Sequence, residues 1–129
     1  MSGLTRVVAR SRADVSSAIA SSPPGARVLL LFCGEKGAGG ESWCSDCVEA
    51  EPALDAALAE SAAERPTVVV DVPLPRSEFK GVASHWARAA PFNVGRVPAL
   101  CRWGAAKVTA AIFEDECKSK ANVLDFLAD

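Results

Sequence analysis

A chain of 129 residues, half of them hydrophobic and with a formal net charge of −2, is long enough to bury one core without metal or disulfide staples. No basic block is interleaved with aromatics, so nucleic-acid binding has no support, and no apolar run approaches the ~20 residues that span a bilayer. Five cysteines, an odd number, occur without a secretory hydrophobic region, which argues against a secreted disulfide framework and for a compartment where thiols stay reduced.

The predicted elements alternate along the chain. Residues 4–9 read as a strand and 12–21 as a helix ended by Ser22-Pro23-Pro24-Gly25. Arg6, Arg10, Arg12 and the nearby serines give residues 1–22 a transit-peptide flavour, but their periodicity assigns them to the fold. Residues 27–33 form a continuous apolar run, as expected of a central strand buried on both faces. A glycine-rich loop over 34–42 leads to a helix over 43–61, with Pro52 predicting a kink inside it. Residues 66–72 are a second central strand, broken by Pro73-Leu74-Pro75. Residues 77–89 read as a helix, 97–103 and 107–113 as a hairpin about Gly104-Ala105-Ala106, and 115–127 as a closing helix. The order βαβαβαββα predicts an α/β fold in one domain over residues 1–129, a central mixed sheet with helices on both faces.

The chemistry concentrates in Ser42-Trp43-Cys44-Ser45-Asp46-Cys47. Two cysteines two residues apart, after a strand and opening a helix, read as a thioredoxin-like dithiol. Cys44 would face the unpaired N–H groups and positive dipole end of the helix, which favour the attacking thiolate. Cys47, one turn later, lies where it can resolve a mixed disulfide on Cys44. Asp46 suits the helix dipole as a first-turn acid, yet its charge opposes the Cys44 thiolate.

The rest of the motif inventory is weaker. A zinc site needs four ligands, and there is no second C-x-x-C pair and a single histidine, His85. Gly37-Ala38-Gly39-Gly40 lacks the G-K-[ST] of a phosphate loop. Cys33 and Cys101 read as small core hydrophobes, with Cys33 close enough in the chain to the dithiol for oxidation, and Cys117 as structural with a regulatory role as the lesser reading. His85 reads as a solvated or packed helix residue and Trp103 as a packed one.

Three features together resemble thioredoxin: Trp43-Cys44-x-x-Cys47, Pro52 five residues beyond the second cysteine, and Val97-Pro98 ahead of a hairpin. The resemblance implies a thioredoxin fold in which the Val97–Pro98 bond is cis and lies beside the dithiol; X–Pro bonds are where cis peptides cost least. A narrower pattern, Gly34-x-Lys36-x-Ala38-Gly39-Gly40-x-Ser42-Trp43-Cys44-x-Asp46-Cys47-x-x-Ala50-Glu51-Pro52, resembles the small Clot-type, or thioredoxin domain-containing protein 17-like, proteins with a Trp-Cys-Pro-Asp-Cys site, and Glu116-Cys117 fits that family too. It implies a cytoplasmic disulfide reductase that binds no cofactor or metal and is recharged by NADPH through thioredoxin reductase. It favours small or exposed disulfides such as cystine, the loop narrowing access to Cys44.

The chain departs from that pattern at Ser45, where the family has proline; serine restores a backbone N–H and adds a hydroxyl. Leu31 stands where thioredoxins place a buried aspartate, leaving Asp46 and Glu51 as the nearest substitutes for the proton acceptor of Cys47. The site residues expected from sequence are therefore Cys44 as nucleophile and Cys47 as resolving thiol, supported by Trp43, Ser45, Asp46, Glu51, Val97 and Pro98. The partners expected are thioredoxin reductase and disulfide-bearing molecules, with the chain a monomer that binds neither nucleic acid nor membrane. Two other readings stay open: a thioredoxin-fold binding module with the dithiol as redox sensor, and a glutathione-coupled oxidoreductase, which the Trp-Cys start counts against.

Overall fold

The computed structural model describes residues 3–128, so the outermost positions of the expected domain, Met1, Ser2 and Asp129, lie outside the described residues. Five strands, β1 (Leu4–Val8), β2 (Arg27–Gly34), β3 (Thr67–Leu74), β4 (Ala99–Gly104) and β5 (Lys107–Phe113), form one sheet in the order β1-β3-β2-β4-β5. β1 and β2 run parallel to β3, β4 adds antiparallel to β2, and β5 adds antiparallel to β4. This is the mixed sheet that the alternating elements predict.

The period-2 geometry of a strand sends successive side chains to opposite faces. In β2, Leu30 and Phe32 pack toward one core with Val15 of α1 (Arg12–Ala20), Phe79, Ala87 and Phe92. Leu29 and Leu31 pack toward the other, against Ala50, Leu54 and Leu58 of α2 (Ser45–Ala62) and Val123 and Leu127 of α4 (Lys120–Leu127). A strand buried on both faces must read as a continuous apolar run, and this one does.

Three element boundaries differ from the sequence reading. The helix expected over 77–89 is a four-residue α3 (Arg76–Phe79) and a separate 3₁₀ turn, Trp86–Arg88. Gly81 takes φ +74°, outside the helical region, and the His85 ring accepts the Ala87 N–H to start the second turn. The closing helix divides into a 3₁₀ turn, Glu114–Cys117, and α4, because Ser119 caps a new start by accepting the Asn122 N–H.

β3 continues through Pro73 instead of stopping at it. Asp71 turns its backbone toward β1, where its carbonyl accepts the Ala9 N–H, so Pro73, two residues on, faces the same edge just past the end of β1. A missing N–H is tolerated there. α2 likewise runs on through Pro52. Among the described residues, no helix is long and apolar enough to cross a membrane.

Candidate active site

Cys44 is the N-cap of α2. Its backbone is extended (φ −97°, ψ 109°), and its sulfur accepts the Cys47 N–H at 3.2 Å. An N-cap acceptor satisfies one of the orphan donors that open a helix, so the sequence order Cys-x-x-Cys delivers a sulfur to the dipole's positive end. The Cys44 thiol also donates to the Val97 carbonyl at 3.6 Å, which ties the helix start to the loop before β4. The Val97–Pro98 bond in that loop is cis, as is Ala90–Pro91.

Behind the dithiol, Ser42 acts as a two-way clasp. Its hydroxyl donates to the Gly34 carbonyl at 2.7 Å and accepts the Cys44 N–H at 3.1 Å. Gly34 has to be glycine, since a Cβ there would meet Ser42 Oγ at 2.6 Å, Trp43 Cε2 at 2.8 Å and Cys44 Cβ at 2.9 Å. Trp43 is fixed in turn, its indole N–H donating to the Leu74 carbonyl at 2.7 Å. The glycine-rich segment between Gly34 and Ser42 folds back on itself through a bridge of Lys36 with Ser42 and a Gly37 N–H to Glu41 carbonyl bond of 2.9 Å. It stands beside Trp43 as an ordered flap. The sequence reading quoted Gly34 and Ser42 within its motif and gave neither a role in the site.

The charges expected to support the site are not in contact with the sulfurs. Asp46, at the first turn of α2, is held by Lys118 Nζ at 2.8 Å, and the same ammonium binds Glu49 at 2.7 Å and Asp115 at 2.8 Å. Glu51 is exposed and pairs with Lys36 of the flap at 2.8 Å. Leu31 packs against α2, and its partner across the sheet is Asp71, whose carboxylate is clamped by Arg6 Nη2 at 2.7 Å. Ser45 is exposed; the hydrogen bonds of the Cys44 sulfur run to Cys47 N–H and Val97 O.

Burial governs the thiols, an effect that sequence could not weigh against the dipole. Cys44 is 8% exposed and Cys47 4%. Desolvation, followed by the hydrogen bond with Cys47, pushes the Cys44 thiol up to about 12, while the Cys47 N–H pulls it down and Asp46 adds a small rise. Cys47 is raised further, first by its hydrogen bond with the Cys33 thiol and then by burial, with the Gly34 N–H, 3.4 Å from its sulfur, acting the other way. The resting dithiol therefore holds its protons. Cys101 and Cys117 are fully buried core residues, as read, and each is pushed up to about 12 by that burial.

Among the described residues, no group of three or more His, Cys, Asp or Glu side chains is arranged to hold a metal ion. His85 is buried, packing edge-on to Phe79 at a centroid distance of 5.6 Å and beside Trp86 at 5.2 Å.

A dithiol capping a helix, set beside a cis-proline loop on a five-stranded mixed sheet, is the arrangement of a thioredoxin-class redox domain. Solved structures agree on the fold. Deadhead, a germline-specific thioredoxin of Drosophila melanogaster, aligns with a TM-score of 0.60 at 14% identity over 96% of each chain. Thioredoxin O2 from Arabidopsis thaliana aligns with a TM-score of 0.58 at 18% identity, covering 96% of this chain and 95% of that one. Within that class the chain belongs to the thioredoxin domain-containing protein 17-like family, whose thioredoxin domain matches residues 9–129. A 30-residue stretch is 53% identical to human thioredoxin domain-containing protein 17, spanning 23% of this chain and 24% of the human protein.

Proposed function

We propose that this chain is a disulfide reductase working through Cys44 and Cys47, with a preference for small or exposed disulfides such as cystine. The observation that carries the reading is the position of the Cys44 sulfur, accepting the Cys47 N–H and touching Val97 O. The attacking atom thus meets both a helix N-terminus and a backbone carbonyl of the cis-proline loop. Cys44, as thiolate, attacks one sulfur of a substrate disulfide, and the other sulfur leaves as a thiol. Cys47 then attacks the Cys44 sulfur of the mixed disulfide, which frees the second substrate thiol and closes the Cys44–Cys47 bond. Two electrons and two protons have passed from the dithiol to the substrate. NADPH restores the dithiol through a thioredoxin reductase.

Trp43 and the Val97-Pro98 turn form the contact surface, where a peptide substrate would align strand-like against the backbone. The flap supports the size preference, since it is ordered beside Trp43 and Cys44 is nearly enclosed. The odd cysteine count fits a chain working in the cytoplasm, where thiols stay reduced, and the chain works as a monomer in this reading.

The near-complete burial of Cys44 favours a second reading, a binding module whose dithiol oxidises slowly and once. A trapping experiment separates the two. With cystine as substrate, the Cys47→Ser chain should accumulate one cysteine adduct per molecule on Cys44. Failure to form that adduct, with cystine left intact, would remove the reductase reading.

A further inference from the structure

The dithiol has a third sulfur beside it. Side chains of β2 alternate, so Gly34 faces Ser42, Trp43 and Cys44, whereas Cys33 turns the other way. That places Cys33 on the face that α2 covers, where the N–H of Gly34, next to it in the chain, donates to the Cys47 sulfur at 3.4 Å and Cys33 and Cys47 line one cavity. Cys47 therefore has Cys44 across its own helical turn and shares a cavity wall with Cys33 of the strand.

The same pair opens onto a cavity of about 530 Å³ whose lining takes in Cys33, Gly34, Cys47, Val48, Glu51 and Asp71, with Cys44 outside it. Four of the cavity's carboxylates are engaged: Glu51 by Lys36, Asp55 and Asp71 by Arg6, and Glu35 by Arg10. Cys33 is half-buried, so it is reachable from the cavity without unfolding.

We propose that Cys33 is a third redox thiol of the site and that Cys47 exchanges between two disulfide partners, Cys44 and Cys33. The proposal rests on the reductase reading for its starting disulfide. From the oxidised Cys44–Cys47 state, Cys33 gives up its proton and its sulfur attacks Cys47 Sγ. The Cys33–Cys47 bond forms as the Cys44–Cys47 bond breaks, and Cys44 leaves as a thiolate that takes up the proton. One disulfide is exchanged for another, so no external oxidant or reductant is consumed. The product has a free Cys44 and a parked Cys47. It can capture a substrate sulfur but cannot resolve it until Cys47 is released, which makes the Cys33–Cys47 form a brake on turnover.

The chain sequence makes the two bonds separable by mass. Tryptic cleavage after Arg27 and Lys36 leaves Cys33 alone on one fragment, while Cys44 and Cys47 share the fragment starting at Gly37. A Cys44–Cys47 bond is internal to one fragment, and a Cys33–Cys47 bond joins two. Parental, Cys33→Ser and Cys44→Ser chains are oxidised with cystine, quenched in acid, alkylated without reduction and digested. The expected result is joined fragments in the parental chain beside the internal bond, and their loss in Cys33→Ser. The Cys44→Ser chain, with four cysteines left of five, should lose two thiols to the joined species, which assigns the link to Cys47. An internal bond in the parental chain with no joined fragments in it or in Cys44→Ser would overturn this inference and leave the reductase reading standing. Neither bond in the parental chain would overturn both.

Discussion

The Cys44 thiol donates to the backbone carbonyl of Val97 across 3.6 Å, joining the first residue of α2 to the cis-proline loop that precedes β4. Two segments more than fifty residues apart in the chain meet at one sulfur. The contact helps to desolvate the thiol, and burial outweighs the Cys47 N–H in setting its proton affinity. It also means that small changes in nearby charge have a readable effect on how readily the thiolate forms.

Asp46 is the charged side chain that raises the Cys44 thiol, and Lys118 offsets it at 2.8 Å. Asp46→Asn should therefore speed alkylation of Cys44 by iodoacetamide at a fixed neutral pH, and Lys118→Ala should slow it. Pairs of this kind near the surface act weakly, so each change should be roughly 1.4- to 5-fold, in opposite directions. Equal rates in both variants, or shifts of the same sign, would contradict the assignment.

Ser42 and Gly34 set the backbone behind the dithiol. Ser42→Ala removes the acceptor of the Cys44 N–H and the donor to Gly34 O, and leaving such groups unpaired costs about 1–3 kcal/mol. Gly34→Ala puts a methyl into contacts of 2.6–2.9 Å and should cost a similar ~1–3 kcal/mol by overpacking. Denaturant unfolding measures the loss. Cystine turnover at a temperature where both variants are folded should also fall, because the displaced atoms are Trp43 and Cys44 themselves. An alanine at position 34 with parental stability and turnover would show that the clasp is not tight.

The buried thiols make stability pH-dependent, with a defined sign. Cys101 and Cys117 are pushed up to about 12 in the folded chain, and an unfolded thiol titrates near 8.5. Their stabilising contribution is complete below about pH 8.5. Above it the unfolded chain releases protons that the folded chain keeps, so stability falls as pH rises toward the folded value, by at most about 1.4 kcal/mol per pH unit for each thiol. Thermal unfolding between about pH 8.5 and 10 should show a descending Tm, and Cys101→Ala should descend less steeply from its own lower starting point. A Tm that is flat or rising in that window would contradict the burial argument.

Much of this was legible in the sequence because the relevant signals are local. The apolar runs of β2 and β3, the glycine loop and the Trp43-Cys44-x-x-Cys47 spacing report backbone and packing needs that adjacent residues settle among themselves. The helix expected over 77–89 failed where a tertiary bond replaced a helical one: Arg88 donates to the Phe79 and Gly95 carbonyls at 2.8 Å and lies 4.0 Å over the Phe79 ring. The hairpin was readable from Gly104-Ala105-Ala106, but not that both alanines take the left-handed conformation, φ 53° and 64°. In the site, chain order placed Cys44 against Cys47. It could not show that Lys118 neutralises Asp46, that Asp71 lies opposite Leu31, or that Cys33 and Cys47 line one cavity, since each depends on strand register and on how α2 sits over the sheet.

The most direct test of the central claim is NADPH oxidation with thioredoxin reductase, comparing cystine with insulin as substrate for the parental chain and for Cys44→Ser. The account predicts turnover of cystine well above that of insulin, abolished by Cys44→Ser. Equal rates on both substrates would contradict the role given to the flap, and cystine reduction at the parental rate by Cys44→Ser would contradict the assignment of Cys44 as the nucleophile.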